Sequence, residues 1–449
     1  MFNSIWFRKI FNPAQFFLLL LIGLVIWNCS LQIEQLKVEK PKENKEVWVR
    51  VISSQRDSFG QVTYNVWIEG GVWEVQSKEY LDIGKVYLVR GEVRYYTLLE
   101  GGKNIYDLSL GISGFVKNSK IILIQPSCDL VCYGIKTLAN TQKYLKRYYF
   151  NTICQDLKII PQWISANSNC QDVYGLSVGL VLGGTSDFTK STKTNFKNLG
   201  LSHLVAVSGF QVVLVISFVE ELLSKLRIGK VLRLTYGLLA VMILILLVGP
   251  QPPVLRSVAS IAMSSTLLTF FGRKISSFRS LIYSGLILLI INPLYLISIS
   301  FQLSFLASLG LVMTSEFGVK TSNHIWKEFY TSLVTTISAF VFTLPVIVNI
   351  SGFTSPVSIV TNLIIVPFIP IITFFNLLSI IPVIGEIFLI PATIMQGLMI
   401  FLVNDIGPNI QKVSLSSFSG LEVGLYYLTL IILIQALVFV KNIQTEKSI

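Results

Sequence analysis

His203, Ser208, Gly209 and Gln211 stand within nine residues of one another in "GLSHLVAVSGFQVVLVISF", residues 200–218. The stretch is otherwise apolar. Ser208 lies about 8 Å below His203 on a helix rising 1.5 Å per residue. Gly209 lets a backbone or a ligand approach closely, and Gln211 both donates and accepts hydrogen bonds. This set would make a polar constriction in an apolar wall. The alternative is helix packing, with Gly209 as a small contact and Ser208 bonded back to its own helix. The constriction predicts that Gly209→Leu blocks passage and leaves the protein folded, whereas packing predicts loss of folded protein. A Ser-His nucleophile pair is a poor third reading. Residues five apart on a helix point in different directions, and the chain holds no Gly-x-Ser-x-Gly elbow.

Arg256 forms a second constellation, in "QPPVLRSVAS". Pro252 and Pro253 suit a helix start. An arginine in the first turn is opposed by the helix dipole by about 0.3–1 kcal/mol. A phosphate would repay that cost, and so, more simply, would snorkelling to outer headgroups. Gln302 and Asn362 lie in later apolar runs, beside Ser304 and Pro367. Proline-broken helices carrying amides recur around solute paths in transporters, and also in ordinary bundles.

The elements that must hold these residues are membrane helices. Of 449 residues 52% are hydrophobic and 13% charged, against about 25% charged in a soluble globule. Apolar runs of the length a bilayer needs fall at 12–29, 203–219, 232–249, 253–271, 279–297, 299–315, 329–350, 356–379, 383–403 and 422–440, giving an expectation of about ten spans. The first reads as an uncleaved anchor, because "IWNCS" lacks a small-x-small site. Arg8 and Lys9 put the N-terminus inside. The loops with Lys225, Arg227, Lys230, Arg233, Arg273, Lys274 and Arg279, and the tail with Lys441 and Lys447, then fall inside too. Segment 31–200 falls outside. Within a net charge of +12, much of the basic excess outside segment 31–200 is this positive-inside bias, so basicity alone does not point to an anionic partner.

Within the outer segment, residues 45–125 alternate with period two. Val47, Val49 and Val51 share one face, and Val62, Tyr64, Val66 and Ile68 another. A turn follows at Gly70-Gly71, and Gly91 interrupts "KVYLVRGEVRYY" as a bulge or bend. About five strands with a mid-strand glycine suit a small barrel of the OB type, either a binder of single strands or saccharides or a structural cap. Next comes the amphipathic helix "IKTLANTQKYLKRYYFNTICQDL". Its Lys143, Lys146, Arg147 and Tyr148 could hold phosphates and stack bases. They suit a membrane-surface helix better, amines on headgroups and tyrosines in the aromatic belt. "VYGLSVGLVLGGTSDF" is apolar, too short to cross, and its glycines would let it dip in against other helices. Proximity favours the pairs Cys128–Cys132 and Cys154–Cys170, with buried free thiols as the alternative. With His203 and His324 as its two histidines, the chain offers no metal site, and no cofactor is expected.

"LVLGGTSDF…FKNLGLSHLVAVSGFQVVLV", "GPQPPVLRSVAS", "NPLYLISISFQLSFLASLGL" and "FTLPVIVNISGFTSPVSIVTNLIIVPFIP" follow one another over 175–375. In that order they resemble the competence domain of the ComEC family, and the outer barrel resembles its N-terminal OB-like domain. Two positions depart from the family pattern. Gln211 stands where many members carry histidine, and Gly184 replaces an acidic residue, which weakens any titrating pair with His203. Many members continue into a metallo-β-lactamase-like domain. This chain ends at Ile449 without a His-rich motif, so a form lacking that domain, and lacking nuclease activity, is expected.

The resemblance implies a polytopic α-helical protein of the cytoplasmic membrane. It would comprise an anchor (1–30), an extracytoplasmic OB-like barrel (31–125), an amphipathic and re-entrant connector (126–200) and a multi-span channel domain (201–449). It implies a channel for single-stranded DNA during natural transformation, and not an enzyme. A separate nuclease, a cytoplasmic ATPase and extracytoplasmic DNA receptors would be its partners. The chain holds no P-loop. A transporter of a small solute or lipid-linked saccharide is the competing reading. It would want intramembrane carboxylates, and Glu386 and Glu422 lie near span ends.

Overall fold

The computed structural model describes residues 43–56, 62–68, 71–77, 81–83, 85–95, 112–124, 130–156, 170–184, 187–205, 209–315, 324–381, 384–410 and 413–446. The expected anchor at 12–29, the Gly70 turn position, Cys128 and Ser208 lie outside them. The chain divides into two compact units.

The first unit contains five strands: β1 (Glu43–Arg56), β2 (Val62–Ile68), β3 (Gly71–Ser77), β4 (Val86–Tyr95) and β5 (Ile112–Ile124). They close into a barrel in the order β1-β2-β3-β5-β4. Every pair is antiparallel except β3–β5. Alternation decides which side chains point inward: Val49, Val51, Tyr64, Val66, Ile68, Trp73, Val75, Tyr87, Val89 and Val116 are all buried. Each such side chain contributes about 1.5–3 kcal/mol on leaving water. The β4–β5 register shifts between Arg90 and Glu92, while β1 pairs straight through with Lys45 opposite Gly91. The extra residue at Gly91 is therefore a bulge on one side of the strand, as the mid-strand glycine suggests. Two tyrosines pin the β3–β4 connection. The Leu81 N–H donates to the Tyr64 hydroxyl at 3.1 Å and the Asp82 N–H to that of Tyr87 at 2.8 Å.

Gly285–Phe301 belongs to the first unit, and the second, Leu145–Ser284 with Gln302–Ile449, is helical. Its centre is α2 (Cys170–Leu182), which follows the amphipathic α1 (Leu130–Asn151) and a π-helical turn (Thr152–Asp156). Every residue of α2 from Asp172 to Leu182 is buried. A helix apolar on all sides needs neighbours all round, and α2 has them. It packs against α12 (Ile369–Leu378) and α13 (Gly385–Ile406) through Ile372, Leu389, Ala392 and Ile400. Thirteen residues are too short to cross a bilayer. Its glycines let the chain fold back tightly: a Cβ on Gly175 would lie 3.1 Å from the Asp187 backbone.

After α2 come α3 (Lys190–Asn198), α4 (Ser202–Val205), α5 (Gly209–Lys225), α6 (Lys230–Val248), α7 (Pro252–Phe271), α8 (Ser277–Ile291), α9 (Ile299–Thr314), α10 (His324–Ser351) and α11 (Val357–Ile365). A 3-10 turn, Val366–Phe368, links α11 to α12, and α14 (Gly420–Glu446) ends the described chain. The strand pair β6 (Phe353–Thr354) and β7 (Val413–Ser414) ties the segments before α11 and α14.

Among the described residues each apolar run read from 203 onward contains helix, but the helices are not equal. Among the described residues five stretches are long and apolar enough to cross a membrane: Lys230–Val248, Pro252–Phe271, Phe329–Ser351, Val357–Leu378 and Gly385–Asn409. The helices Ser277–Ile291 and Ile299–Thr314 and the stretch Gly420–Ala436 are shorter. Asn292 and Pro293 break the run 279–297. The Asn292 side chain accepts from the Leu294 N–H at 3.1 Å and opens a 3-10 turn. The run 203–219 is divided between α4 and α5, and α5 carries Glu220, Glu221 and Lys225 in its last turns. On α6, Leu239, Met242, Ile243 and Leu246 are each more than half exposed. Such a surface is stable against lipid, not water. The protein is a multi-pass membrane protein with an N-terminal β-barrel.

Candidate functional site

The stretch around Gly209 forms a joint between helices. Gln211 is buried on α5, and its Nε2 donates to the Leu180 carbonyl at 2.7 Å. That carbonyl lies in the last turn of α2, where helix geometry leaves carbonyls without intrahelical donors. Gly209 opens α5 and faces α7. A Cβ there would overlap the Ser257 hydroxyl, at 3.0 Å from Ser257 Cβ and 3.6 Å from the Pro253 carbonyl. Ser257 itself donates to that carbonyl at 3.0 Å. Val212, Ile216, Val241 and Val254 form the apolar cluster below. His203 is exposed on α4, with Nδ1 3.0 Å from the Gly200 carbonyl, a bond the Nδ1–H tautomer donates. Of the four residues, the structure thus engages Gly209 and Gln211 in packing, keeps His203 within its own turn, and does not describe Ser208.

Arg256 is partly buried and, as the fifth residue of α7, begins its second turn rather than lying in its first. Gln251, the residue before the helix, makes no capping bond through its side chain, and prolines hold the first two positions. The guanidinium donates through Nε to Ser304 Oγ on α9 at 2.9 Å. Gln302 lies on the same helix, one turn-fraction earlier, half-buried and in contact with other groups. Among the described residues no carboxylate pairs with Arg256. A neutral hydroxyl answers one of five N–H donors, so among the described residues the remaining donors are left to meet an anion.

The basic helix α1 divides its candidates. Lys143 and Arg147 are exposed and Tyr148 is half-buried. Lys146 ion-pairs with Asp187 at 2.8 Å, which ties α1 to the loop after α2. Its neighbour Tyr149 is fully buried. The Tyr149 hydroxyl donates to the Asn376 carbonyl at 2.7 Å, and Ser379 Oγ donates to the same carbonyl at 2.7 Å. Burial holds this phenol above its ordinary pKa, so it stays a donor. Cys154, in the π turn, is joined by a disulfide to Cys170 at the start of α2. Cys132 lies on α1. Tyr149→Phe should cost about 1 kcal/mol, the net worth of one buried hydrogen bond with a second donor remaining. Thermal unfolding of the purified protein measures it, and an unchanged midpoint would show the bond contributes nothing.

Sequence reading passed over a set of amides. Asn376 and Gln396 are fully buried, on α12 and α13. Among the described residues, both side-chain atoms of Asn376, Gln396 Nε2 and Thr373 Oγ1 have no hydrogen-bond partner, nor has Oδ1 of Asn362, which the sequence did single out. Gln396 Oε1 accepts from Ser177 on α2 at 2.9 Å. Each such orphaned group costs about 1–3 kcal/mol. The buried carboxylate of Asp172, by contrast, is satisfied by Thr189 and Thr192 at 2.9 Å. The signal in the sequence was weak: an Asn and a Gln inside runs of Ile, Leu and Phe.

Membrane-spanning helices, a proline-broken span and an arginine without a carboxylate define a class of polytopic membrane protein with polar groups inside. Residues 180–440 match the family model described as Competence protein. The chain belongs to that family and is a ComEC-family competence protein. It is 25% identical over 199 residues to ComE operon protein 3 of Bacillus subtilis (strain 168), covering 44% of this chain and 25% of that relative. It is 32% identical over 188 residues to an uncharacterized protein of Aquifex aeolicus (strain VF5), covering 41% of this chain and 42% of that one. The chain thus spans less than half the length of either relative. No solved structure matches it.

Proposed function

We propose that this protein is a channel that passes single-stranded DNA across the cytoplasmic membrane during natural transformation. One observation carries the reading within a competence family: Arg256 is partly buried at the start of a membrane helix and bonded to a serine, with no carboxylate beside it among the described residues. A phosphate diester repays the desolvation cost of that position. The strand order β1-β2-β3-β5-β4 with one parallel pair supports an OB-type barrel, placed outside the membrane by the charge bias of the loops. Further short helices complete about ten spans, both termini lie in the cytoplasm, and the nuclease, ATPase and receptors are separate partners. Exposed Lys143 and Arg147, with Tyr148, offer an outer contact for the strand.

The test is a deletion strain complemented with this chain and supplied with labelled duplex DNA. The expected result is nuclease-resistant single-stranded label in the cytoplasm with the chain and none without it. Equal cytoplasmic label in both strains would sink the proposal, and loss of a small solute's uptake instead would favour the transporter reading.

A further inference from the structure

Among the described residues, four of the seven buried side-chain atoms without a hydrogen-bond partner lie on α12 and α13. Thr373 and Asn376 are three apart on α12, so they share a face. Gln396 is on α13, and α2, α12 and α13 pack on one another. All three side chains are fully buried. Their free atoms include donors and acceptors: Asn376 Nδ2 and Oδ1, Gln396 Nε2 and Thr373 Oγ1. Neighbouring polar groups are already spoken for. Thr393 Oγ1 donates to the Leu389 carbonyl at 2.8 Å, and Ser177 donates to Gln396. The set therefore does not satisfy itself, and a membrane interior supplies no substitute.

The helix bearing two of them is the second half of a broken span. Pro367 sits in the 3-10 turn between α11 and α12, and Pro370 follows it. Interrupted spans of this kind line solute paths in transporters. The chemistry of the set selects a ligand. No basic residue lies on α2, α12 or α13, so the seam does not suit phosphates. Amides and a hydroxyl match uncharged planar edges carrying donors and acceptors side by side, as nucleobases do. Phe375, half-buried against the same core, adds an aromatic face.

We infer that Thr373, Asn376 and Gln396 form a site for nucleobase edges of the transported strand, opened when α12 and α13 part from α2. This rests on the DNA-channel reading. Phosphates are then met at Arg256 and bases at the amide seam, two separate contacts along the chain.

The experiment uses the full chain in membranes, with Thr373→Cys, Asn376→Cys and Gln396→Cys made singly. Ile371→Cys and Leu398→Cys, at exposed apolar positions on the same two helices, are the controls. The probe is a small hydrophilic methanethiosulfonate. Seam positions should react about tenfold faster than the controls. A single-stranded oligonucleotide should slow them, and an abasic oligonucleotide of equal length should not. No reaction at any seam position overturns the site. Reaction that both oligonucleotides slow equally, or that neither slows, overturns the base-edge assignment.

A second arm separates function from structure. Asn376→Leu removes two orphaned atoms, and Gln396→Met removes one together with the acceptor of Ser177, whose hydroxyl keeps the Val173 carbonyl, so thermal stability should hold or rise while DNA import falls about tenfold at equal abundance. Lower stability, with import falling only in proportion to abundance, means a structural role and overturns the proposal. Should either variant be too unstable to isolate, Thr373→Val, the isosteric change, decides the same question. A wild-type chain that imports no DNA defeats the channel reading itself. A chain that imports DNA with unreactive seam positions defeats this inference alone.

Discussion

Gly209→Leu is expected to remove most of the folded protein from the membrane. The Cβ alone overlaps the Ser257 hydroxyl, and the Ser257 Cβ lies 3.0 Å away. Leucine adds three further carbons at that closed joint. Overpacking of this kind typically costs about 1–3 kcal/mol, and more where backbone must move. Here the neighbour is the first turn of α7, held by prolines at its first two positions, so relaxation is limited. The displaced helix also carries Gln211, whose bond caps the end of α2, so damage would spread to the buried centre. Membrane abundance and detergent unfolding measure the loss. A compensating pair sharpens the test. Gly209→Ala alone should lower stability, and Ser257→Gly in the same chain should restore part of it, because it removes the colliding atoms. Gly209→Leu at wild-type abundance would show that α5 and α7 are not in contact there.

That outcome reverses the first expectation from sequence, and the reason is physical. Ser, Gly and Gln in an apolar run read equally as a pore wall or as packing, because their chemistry serves both. What decides is the partner, and the partners are remote: Leu180 is 31 residues from Gln211, and Ser257 lies on another helix. Local patterns fared better. Alternation gave the inward faces of β1 and β2, and the lone glycine of β4 marked its bulge. The strand Gly71–Ser77 is not singled out by its own pattern, although the glycine turn before it is. Hydropathy found the helices and the prolines marked breaks in them, but not that Ser277–Ile291 and Ile299–Thr314 are short. The buried Tyr149 looked like its neighbour Tyr148, because "YY" on a helix does not say which ring turns inward. Asn376 and Gln396 were invisible for the same cause: an amide in an apolar run reveals neither burial nor want of a partner.

Arg256 was legible because it breaks a pattern without help from any fold, a lone cation inside an apolar stretch. The structure adds its surroundings. Its Nε is spent on Ser304, which orients the guanidinium and leaves the terminal nitrogens as a planar fork suited to two phosphate oxygens. Arg256→Gln is therefore expected to cut DNA import by about tenfold or more, the factor for 1.4 kcal/mol, since a charged hydrogen bond is worth about 1.5–3 kcal/mol. Membrane abundance should hold, because no carboxylate among the described residues is left unpaired by the change. Arg256→Lys should keep an intermediate rate, charge surviving without the fork. Ser304→Ala should act in the same direction but more weakly, by freeing the side chain to wander. Import is scored as nuclease-resistant label per unit of membrane protein, at two salt concentrations. A phosphate contact weakens with salt, so the gap between wild type and Arg256→Gln should narrow as salt rises. An arginine that merely reaches outer headgroups predicts another pattern: Gln and Lys both near wild type, with no salt-dependent gap. That pattern at equal abundance would take Arg256 out of the path, and with it the placement of the strand along the start of α7.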